Sequence, residues 1–448
     1  MSLSSMTSRR RFITGAASTL FAAPYITSGL RAASPNGKLR HVAFGGNGMS
    51  FADMSAMSSH PMWELAAVCD VDTRNFAKVK AKFPGVKTYQ YWQELFEKEA
   101  GNFDSVNVSV PDHMHGTIGM KALGLGKHVY GQKPLAQNLW ECRQLMLKAR
   151  EKGVMTQMGI QVSSDFTERH AVALIQNGSI GKVKEVHTFS NKKWGDMEPV
   201  PTQADPIPDG FDWNQWLGPA AERPFHKGYY HPGNWRKRRD FGTGTLGDMG
   251  CHMFSGWFRA LDLAAPIAVK SAGLAPPNKE NWAINGQVAY TFKGTKFTAD
   301  DTVKVTWYDG DNKPPAEVVA LLAGTGGKPA KIDQGSIYLG TEGVLFAPHG
   351  STPMLFPRDK FKGTQYPHLE PRNHWFDFID CCLKGDKKPS ANFDYAAPLT
   401  EVVLLGCIAS IFPNESLTWD SPGLKITNNE TANGFVKRSY RKGWEIAV

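Results

Sequence analysis

The chain has 448 residues, 41% of them hydrophobic, and a formal charge of +9. That length is enough for two domains, the charge is too mild to indicate nucleic-acid binding, and no apolar run beyond the N-terminus has the length of a stable membrane span. Six cysteines (Cys69, Cys142, Cys251, Cys381, Cys382 and Cys407) contain no CxxC pair of a metal or redox site, so buried free thiols are expected.

The N-terminus carries "SRRRFITGAA" at residues 8–17, with Arg9 and Arg10 preceded by Ser8 and followed by Arg11, Phe12 and Ile13. This matches a bacterial twin-arginine export signal. The apolar stretch behind it is short and broken by Gly, Pro, Ser and Thr, as in a signal that is removed rather than a mature helix. Residues 1–33 are therefore set apart from the fold. Their loss takes Arg9, Arg10, Arg11 and Arg31 and no acidic residue, and the charge falls to +5. The expected location is periplasmic or otherwise exported.

Residues 39–162 alternate strand-like apolar runs with helical patterns: "RHVAFGG", "WELAAVCDVD", "FDSVNVSVP", "KHVYGQKPL" and "VMTQMGIQ" are strands, each followed or preceded by a helix. Continuous apolar strands between helices predict a parallel sheet covered on both faces, a doubly wound Rossmann-type domain. From 163 to 448 the rhythm changes. A helix "FTERHAVALIQNG" leads to the strand "KVKEVHTFS", then comes an aromatic-, Pro- and Gly-rich stretch over 191–244. "IAVKSAGL", "GQVAYTFKG", "TVKVTWYDG" and "GSIYLGTEGVLFAP" follow as strands with few helices between them, predicting an α+β domain with a largely antiparallel open sheet. A helical pair, "HWFDFIDCCLKG" and "AAPLTEVVLLGCIASIF", is placed near the domain junction.

After the first strand the pattern GxGxxG reads Gly45, Asn47 and Ser50, with Gly46 and Gly48 interleaved and Met49 beside them. Asn tolerates left-handed backbone and Ser is small, so a pyrophosphate loop survives the changes. Asp70 ends the second strand, 25 residues after Gly45, where a carboxylate accepts hydrogen bonds from an adenosine ribose. That favours NAD; Asp72 could share the task, and Arg74 could instead meet the 2'-phosphate of NADP.

Two further stretches end predicted parallel strands, "VPDHMHG" at 110–116 and "GQKPLA" at 131–136, and "GTLGDMGCH" follows at 244–252. Asp248 and His252 are four residues apart and share a face if this segment is helical. A histidine suits proton abstraction from a hydroxyl, Lys133 suits stabilisation of the resulting alkoxide, and Asp248 also has a structural alternative as a helix cap. His252 could equally be a satisfied core histidine. His113 and His115 form an HxH without a third ligand at motif spacing, so no metal is expected. In "WRKRRD" at 235–240, Arg236 with Trp235 or Trp194 could bind an oxygenated ring, or the run could be a solvated loop.

Together these motifs, with the closing "VKRSYRKGWEI", resemble the Gfo/Idh/MocA oxidoreductases over nearly the whole chain after residue 33. The resemblance implies an NAD(P) domain followed by an α/β domain whose open sheet forms a dimer or tetramer contact, with a sugar or cyclitol site between them. It implies catalytic roles for Lys133, His252 and Asp248. Pro111, His113, Gln132 and Lys133 join Gly45, Gly46, Asn47, Gly48, Met49 and Asp70 at the cofactor, and His115, Trp235 and Arg236 stand on the substrate side. Gln132 departs from the family's glutamate in "EKP". Because twin-arginine export carries folded proteins, the expected activity is oxidation of a secondary hydroxyl of a sugar or glycoside with tightly bound cofactor. The alternatives are a redox-neutral, NAD-dependent glycosidase or lyase and a non-catalytic sugar-binding protein.

Overall fold

Apolar runs buried on both faces, such as "LRHVAF" and "SVNV", need neighbours above and below, and from residue 39 the chain supplies them as helices between parallel strands. A computed structural model describes residues 37–323 and 332–447, so the segment read as an export signal lies outside the described residues. In chain order the first elements are β1 (Leu39–Phe44), α1 (Gly48–Met57), β2 (Trp63–Cys69), α2 (Phe76–Lys82), β3 (Lys87–Tyr89) and α3 (Trp92–Glu99). β4 (Ser105–Val108), α4 (His115–Gly124), β5 (His128–Gly131), α5 (Leu139–Lys152) and β6 (Thr156–Met158) complete the series. The described strands form a parallel sheet in the order β3-β2-β1-β4-β5-β6. Strand order reverses between β1 and β4, which opens a crevice at their carboxyl ends. β3 and α3 escape the sequence reading because β3 is a three-residue edge strand and α3 buries only Leu95, Phe96 and Glu99.

The second half begins with α6 (Phe166–Gln176) and β7 (Val183–Ser190), passes through the short α7 (Trp213–Leu217), and enters α8 (Gly244–Ala260). Then follow β8 (Ala268–Ser271), β9 (Gln287–Lys293), β10 (Thr302–Asp309), α9 (Ala316–Ala320), β11 (Gln334–Gly340), β12 (Val344–Pro348) and β13 (Met354–Phe356). α10 (His374–Lys384), α11 (Phe393–Ala409), β14 (Ser416–Asp420) and β15 (Lys425–Ile426) come last of the larger elements. The described sheet runs β13-β12-β11-β7-β10-β9-β8-β14-β15. Its joins are antiparallel except for β7 with β10. "GSIYLGTEGVLFAP" is two strands rather than one, because Gly340 N bonds Gly343 O at 2.8 Å and turns the chain back.

Both sheets lie in one compact unit, and α11 joins them: it packs on α5 from the first half and on α8 from the second. Arg143 of α5 grips Glu401 of α11 through two bonds of 2.8 Å, and His374 of α10 bonds Ser164 Oγ and Met158 O. Of the helical pair, α11 thus touches both halves, while α10 packs on α1 and β1 of the first. The six cysteines are buried free thiols, and no described helix is long and apolar enough to cross a membrane.

Glycines let these helices close. A methyl group at Gly250 of α8 would stand 3.0 Å from Val403 of α11, and one at Gly406 would collide with the hydroxyl of Tyr290 on β9. Gly406→Ala is therefore expected to destabilise the fold by roughly 1–3 kcal/mol, as overpacking does, read as a lower midpoint in thermal melting. An unchanged midpoint would show that the α11–β9 seam yields.

Candidate active site

The crevice beyond β1, β2, β4 and β5 is a cleft with about 350 Å³ of solvent-accessible space. Gly45 turns out of β1 at φ +100, a conformation that side chains resist, and a Cβ there would stand 3.0 Å from Ser109 O. Gly46 N donates to Asp70 Oδ2 at 2.7 Å, while Asn75 Nδ2 and Asp72 N donate to the same carboxylate at 2.9 Å each. Asp70 thus braces the glycine loop from the end of β2. Burial raises its pKa against the pull of these bonds. Arg74 is engaged by Asp72 through two bonds of 2.6 Å.

The residues fit a dinucleotide here. The N-cap residue of α1, Asn47, makes no side-chain cap bond, so the first amides of the helix can face an anion. The space a Cβ would take at Gly48 is open, and Met49 lines the cleft. Asn47 is drawn aside by Lys78 Nζ at 2.8 Å.

At the chemical end, Lys133 follows β5 and Asp248 lies in the second turn of α8. Lys133 Nζ donates to both Asp248 Oδ1 and Asp248 O at 2.7 Å, and Arg236 Nε donates to Asp248 Oδ1 at 3.1 Å. Burial alone would raise the Asp248 carboxyl, but the two cations outweigh it and hold it well below the usual carboxylate range. Arg236 lies over the rings of Trp235, at 4.3 Å, and Trp194, at 5.4 Å. Pro111, Gln132, Lys133, Trp235, Arg236 and Asp248 line one cleft with the glycine loop and Asp70.

The three histidines of the sequence motifs do not line that cleft. His113 is enclosed between Trp216 and Phe241, with Nε2 on Trp216 O at 2.8 Å, and burial lowers its pKa to about 3. His115 has both ring nitrogens on backbone carbonyls, Pro134 O and Val110 O, at 2.8 Å, so it ties two strand ends together. His252 does share a helix with Asp248, yet it lines a separate hollow of about 30 Å³ beside Glu168 and His349. Its Nδ1 has no hydrogen-bond partner among the described residues, and burial, then Lys133, press its pKa well below the ordinary value.

Two acids and a loop escaped the motif reading. Asp112, inside "VPDHMHG", lines the cleft at 4% exposure; Thr243 Oγ1 donates to its Oδ2 at 2.8 Å, and burial pushes it up to about 7 against Arg236 and Lys133. Its place at a strand end beside a ligand crevice was the signal available. Asp72, foreseen only at the ribose, also meets His231 at 3.5 Å. The second missed acid, Asp53, lies within α1 and had no local signal: it is fully buried and accepts from Gln132 Nε2 (2.9 Å), Ser109 Oγ (2.8 Å) and Trp375 Nε1 (2.9 Å). The loop is residues 210–232. Gly210 O accepts from Thr73 N at 2.9 Å and Asp212 N donates to Val71 O at 3.0 Å, which places Gln215, Trp216, His231 and Pro232 on the cleft wall.

The family models match nearly the whole chain. The Gfo/Idh/MocA oxidoreductase model for an NAD-binding Rossmann fold covers residues 40–160, and the model for the C-terminal alpha/beta domain covers 174–446. The chain belongs to the Gfo/Idh/MocA oxidoreductase family. Among curated relatives, the levoglucosan dehydrogenase of Pseudarthrobacter phenanthrenivorans is 22% identical over 47% of each chain. The 1-carboxy-3-chloro-3,4-dihydroxycyclohexa-1,5-diene dehydrogenase of Comamonas testosteroni is 28% identical over 28% of this chain and 32% of its own. The match thus spans less than half the length of these relatives. In solved structures the fold is similar to the WlbA dehydrogenase of Bordetella pertussis in complex with NADH and UDP-GlcNAcA, at TM-score 0.59 and 15% identity over 86% of this chain and 99% of that one. It is also similar to the aldose-aldose oxidoreductase of Caulobacter crescentus, at TM-score 0.55 and 16% identity over 85% and 100%.

Gln132 makes electrostatic sense beside Asp53. A glutamate there would set two buried carboxyls in contact, and one would keep a proton above its ordinary pKa. A carboxyl whose folded pKa is raised contributes stability below its unfolded pKa and loses it as pH rises through the folded value. Gln132→Glu is therefore expected to melt close to wild type at pH 5 and to lose about 1–3 kcal/mol by pH 8. Equal losses at both pH values would mean that Asp53 does not face residue 132 as a carboxylate.

Proposed function

We propose that this protein is an exported NAD-dependent oxidoreductase that oxidises a secondary hydroxyl of a sugar or glycoside and retains its cofactor through the catalytic cycle. The observation that carries this reading is the Lys133–Asp248–Arg236 cluster in the same cleft as the glycine loop and Asp70. The bound NAD supplies the two-electron acceptor. Lys133 presents a cation to the oxygen as its proton leaves, and Asp248 holds the ammonium in position. Arg236, Trp235 and Trp194 offer a guanidinium and aromatic faces, a combination suited to a hydroxylated ring. The names of the levoglucosan dehydrogenase and the aldose-aldose oxidoreductase point to the same substrate class.

Retention of the cofactor draws support from the 210–232 loop, which crosses the adenosine side of the cleft and is held to the β2–α2 turn by backbone hydrogen bonds. Export through the Arg9–Arg10 signal would carry the protein folded around its nucleotide. NAD is favoured over NADP because Asp70 stands at the ribose position and Arg74 is engaged by Asp72. Assembly into a homo-oligomer would use the second sheet, whose β9 leaves Gln287, Ala289 and Thr291 half-exposed on one face.

Two measurements test this reading. Protein exported by its own signal, purified and denatured, is expected to release close to one NAD(H) per chain; empty protein that binds no added nucleotide would overturn the proposal. Holoenzyme is then screened with sugars and glycosides for NADH absorbance, and glycosidic cleavage without net NADH would favour the glycosidase or lyase alternative. Lys133→Met is expected to lower turnover at least ~100-fold with nucleotide content unchanged, since Arg236 still pairs Asp248 in its place.

A further inference from the structure

The segment "VKRSYRKGWEI", residues 436–446, stands apart from the Lys133–Asp248–Arg236 cluster, yet it is tied down along its length. Val436 O accepts from Trp140 N at 3.0 Å, and Lys437 Nζ lies 4.0 Å over the Trp140 ring. Arg438 Nη1 donates to Gln137 Oε1 at 2.6 Å, and Tyr440 Oη donates to Glu141 Oε1 at 2.7 Å. These contacts seat the segment on the first turn of α5 and the residues leading into it.

Beyond Tyr440 the segment takes hold of the 210–232 loop. Arg441 N donates to Pro219 O at 3.0 Å, and the Arg441 guanidinium donates to Asn214 Oδ1 at 2.6 Å and to Asn214 O at 3.0 Å. The exposed Glu222 adds a carboxylate at 3.6 Å. Asn214 lies in α7 beside Gln215 and Trp216, both of which line the nucleotide cleft. Trp444 packs 6.2 Å from Trp92, another cleft residue, with the Arg441 guanidinium 5.2 Å over its ring. The end of α7 is seated closely as well, since a Cβ at Gly218 would collide with Sδ of Met114, which also lines the cleft.

The loop therefore has two fastenings. Its start is bonded by backbone groups to the β2–α2 turn, and α7 with Pro219 is bonded to Arg441. A nucleotide leaving over the adenosine side has to displace Gln215 and Trp216, and α7 cannot swing outward while the Arg441 bonds hold. Bonds from a charged donor are stronger than neutral ones, and a wall ordered in advance lowers the cost of closing on a ligand. We propose that residues 436–446 form a clasp in which Arg441 is the positioning residue that holds α7 against the nucleotide cleft and sets the rate of NAD dissociation. This inference rests on the reading of the chain as an enzyme that retains NAD.

The test uses NAD-loaded protein mixed with a large excess of fluorescent etheno-NAD, whose uptake reports release of the resident nucleotide. Arg441→Met keeps the aliphatic stem beside Trp444 and removes the guanidinium bonds. It is expected to speed release about 10-fold, with Arg441→Lys between it and wild type. Asn214→Ala removes the side-chain oxygen from the other side of the contact and should also speed release. The double variant should release no faster than Arg441→Met alone, because both changes act through one contact. Gly406→Ala, in the α11–β9 seam, should lower the melting midpoint and leave release at the wild-type rate.

Wild-type release from Arg441→Met overturns the proposal. So does additive acceleration in the double variant, which puts the two residues on separate routes, and so does equal acceleration in Gly406→Ala, which makes release a matter of global stability. Failure of the underlying reading shows in wild type itself. There, the protein binds no nucleotide or exchanges it within one turnover, and the inference falls with that reading; failure of the clasp shows only in the variants.

Discussion

A lysine ammonium and an aspartate carboxylate meet at 2.7 Å across 115 residues of chain, and the working cleft depends on keeping them together. Both groups are largely withdrawn from water, so each would cost several kcal/mol if left without the other. The pairing draws the end of β5 onto the second turn of α8, and Lys133 tightens the join by also bonding the Asp248 carbonyl. The two halves of the protein are therefore latched at the place where the chemistry is proposed. Arg236 shares the same carboxylate, and Lys133, with two of its three N–H donors on Asp248, keeps one for a ligand oxygen.

The same constraint sets the two cleft acids apart. Asp248 and Asp112 share one low-dielectric site with two cations, yet the cations bond only Asp248 directly. Asp248 therefore stays ionised, while Asp112, buried with a single hydroxyl donor, is raised toward neutrality. Behind them, Asp53 takes three donors from Gln132, Ser109 and Trp375, so the glutamine in place of the family's glutamate gives this buried acid a donor instead of a second carboxyl.

The long stretch between β7 and α8 gives this site its far wall. Phe211, Trp213, Trp216, Tyr230 and Phe241 bury one another in a cluster of their own, which packs a stretch whose one α-helix is the short α7. From that cluster the chain reaches back to the β2–α2 turn and bonds it through backbone groups. Composition marked this stretch as unusual, but the partner of its aromatic residues was the stretch itself rather than a ligand. Trp235 and Arg236 are where the cluster meets the cleft.

Local physics decided much of this protein before any tertiary contact. Apolar runs in alternation with helices determined a parallel sheet, since such strands are stable only when covered on both faces. Strand-end motifs placed Lys133, Asp70 and the glycine loop on one crevice, and the i, i+4 spacing put Asp248 and His252 on one helix. What local pattern could not determine was the surroundings of each titratable group, because those come from residues distant in sequence. The side of α8 on which His252 finds its space, the enclosure of His113 and His115, the pairing of Asp53 with Gln132 and the elevation of Asp112 all follow from packing. Burial and charge at a side chain are sums over neighbours in space, and only the tertiary structure sets those neighbours.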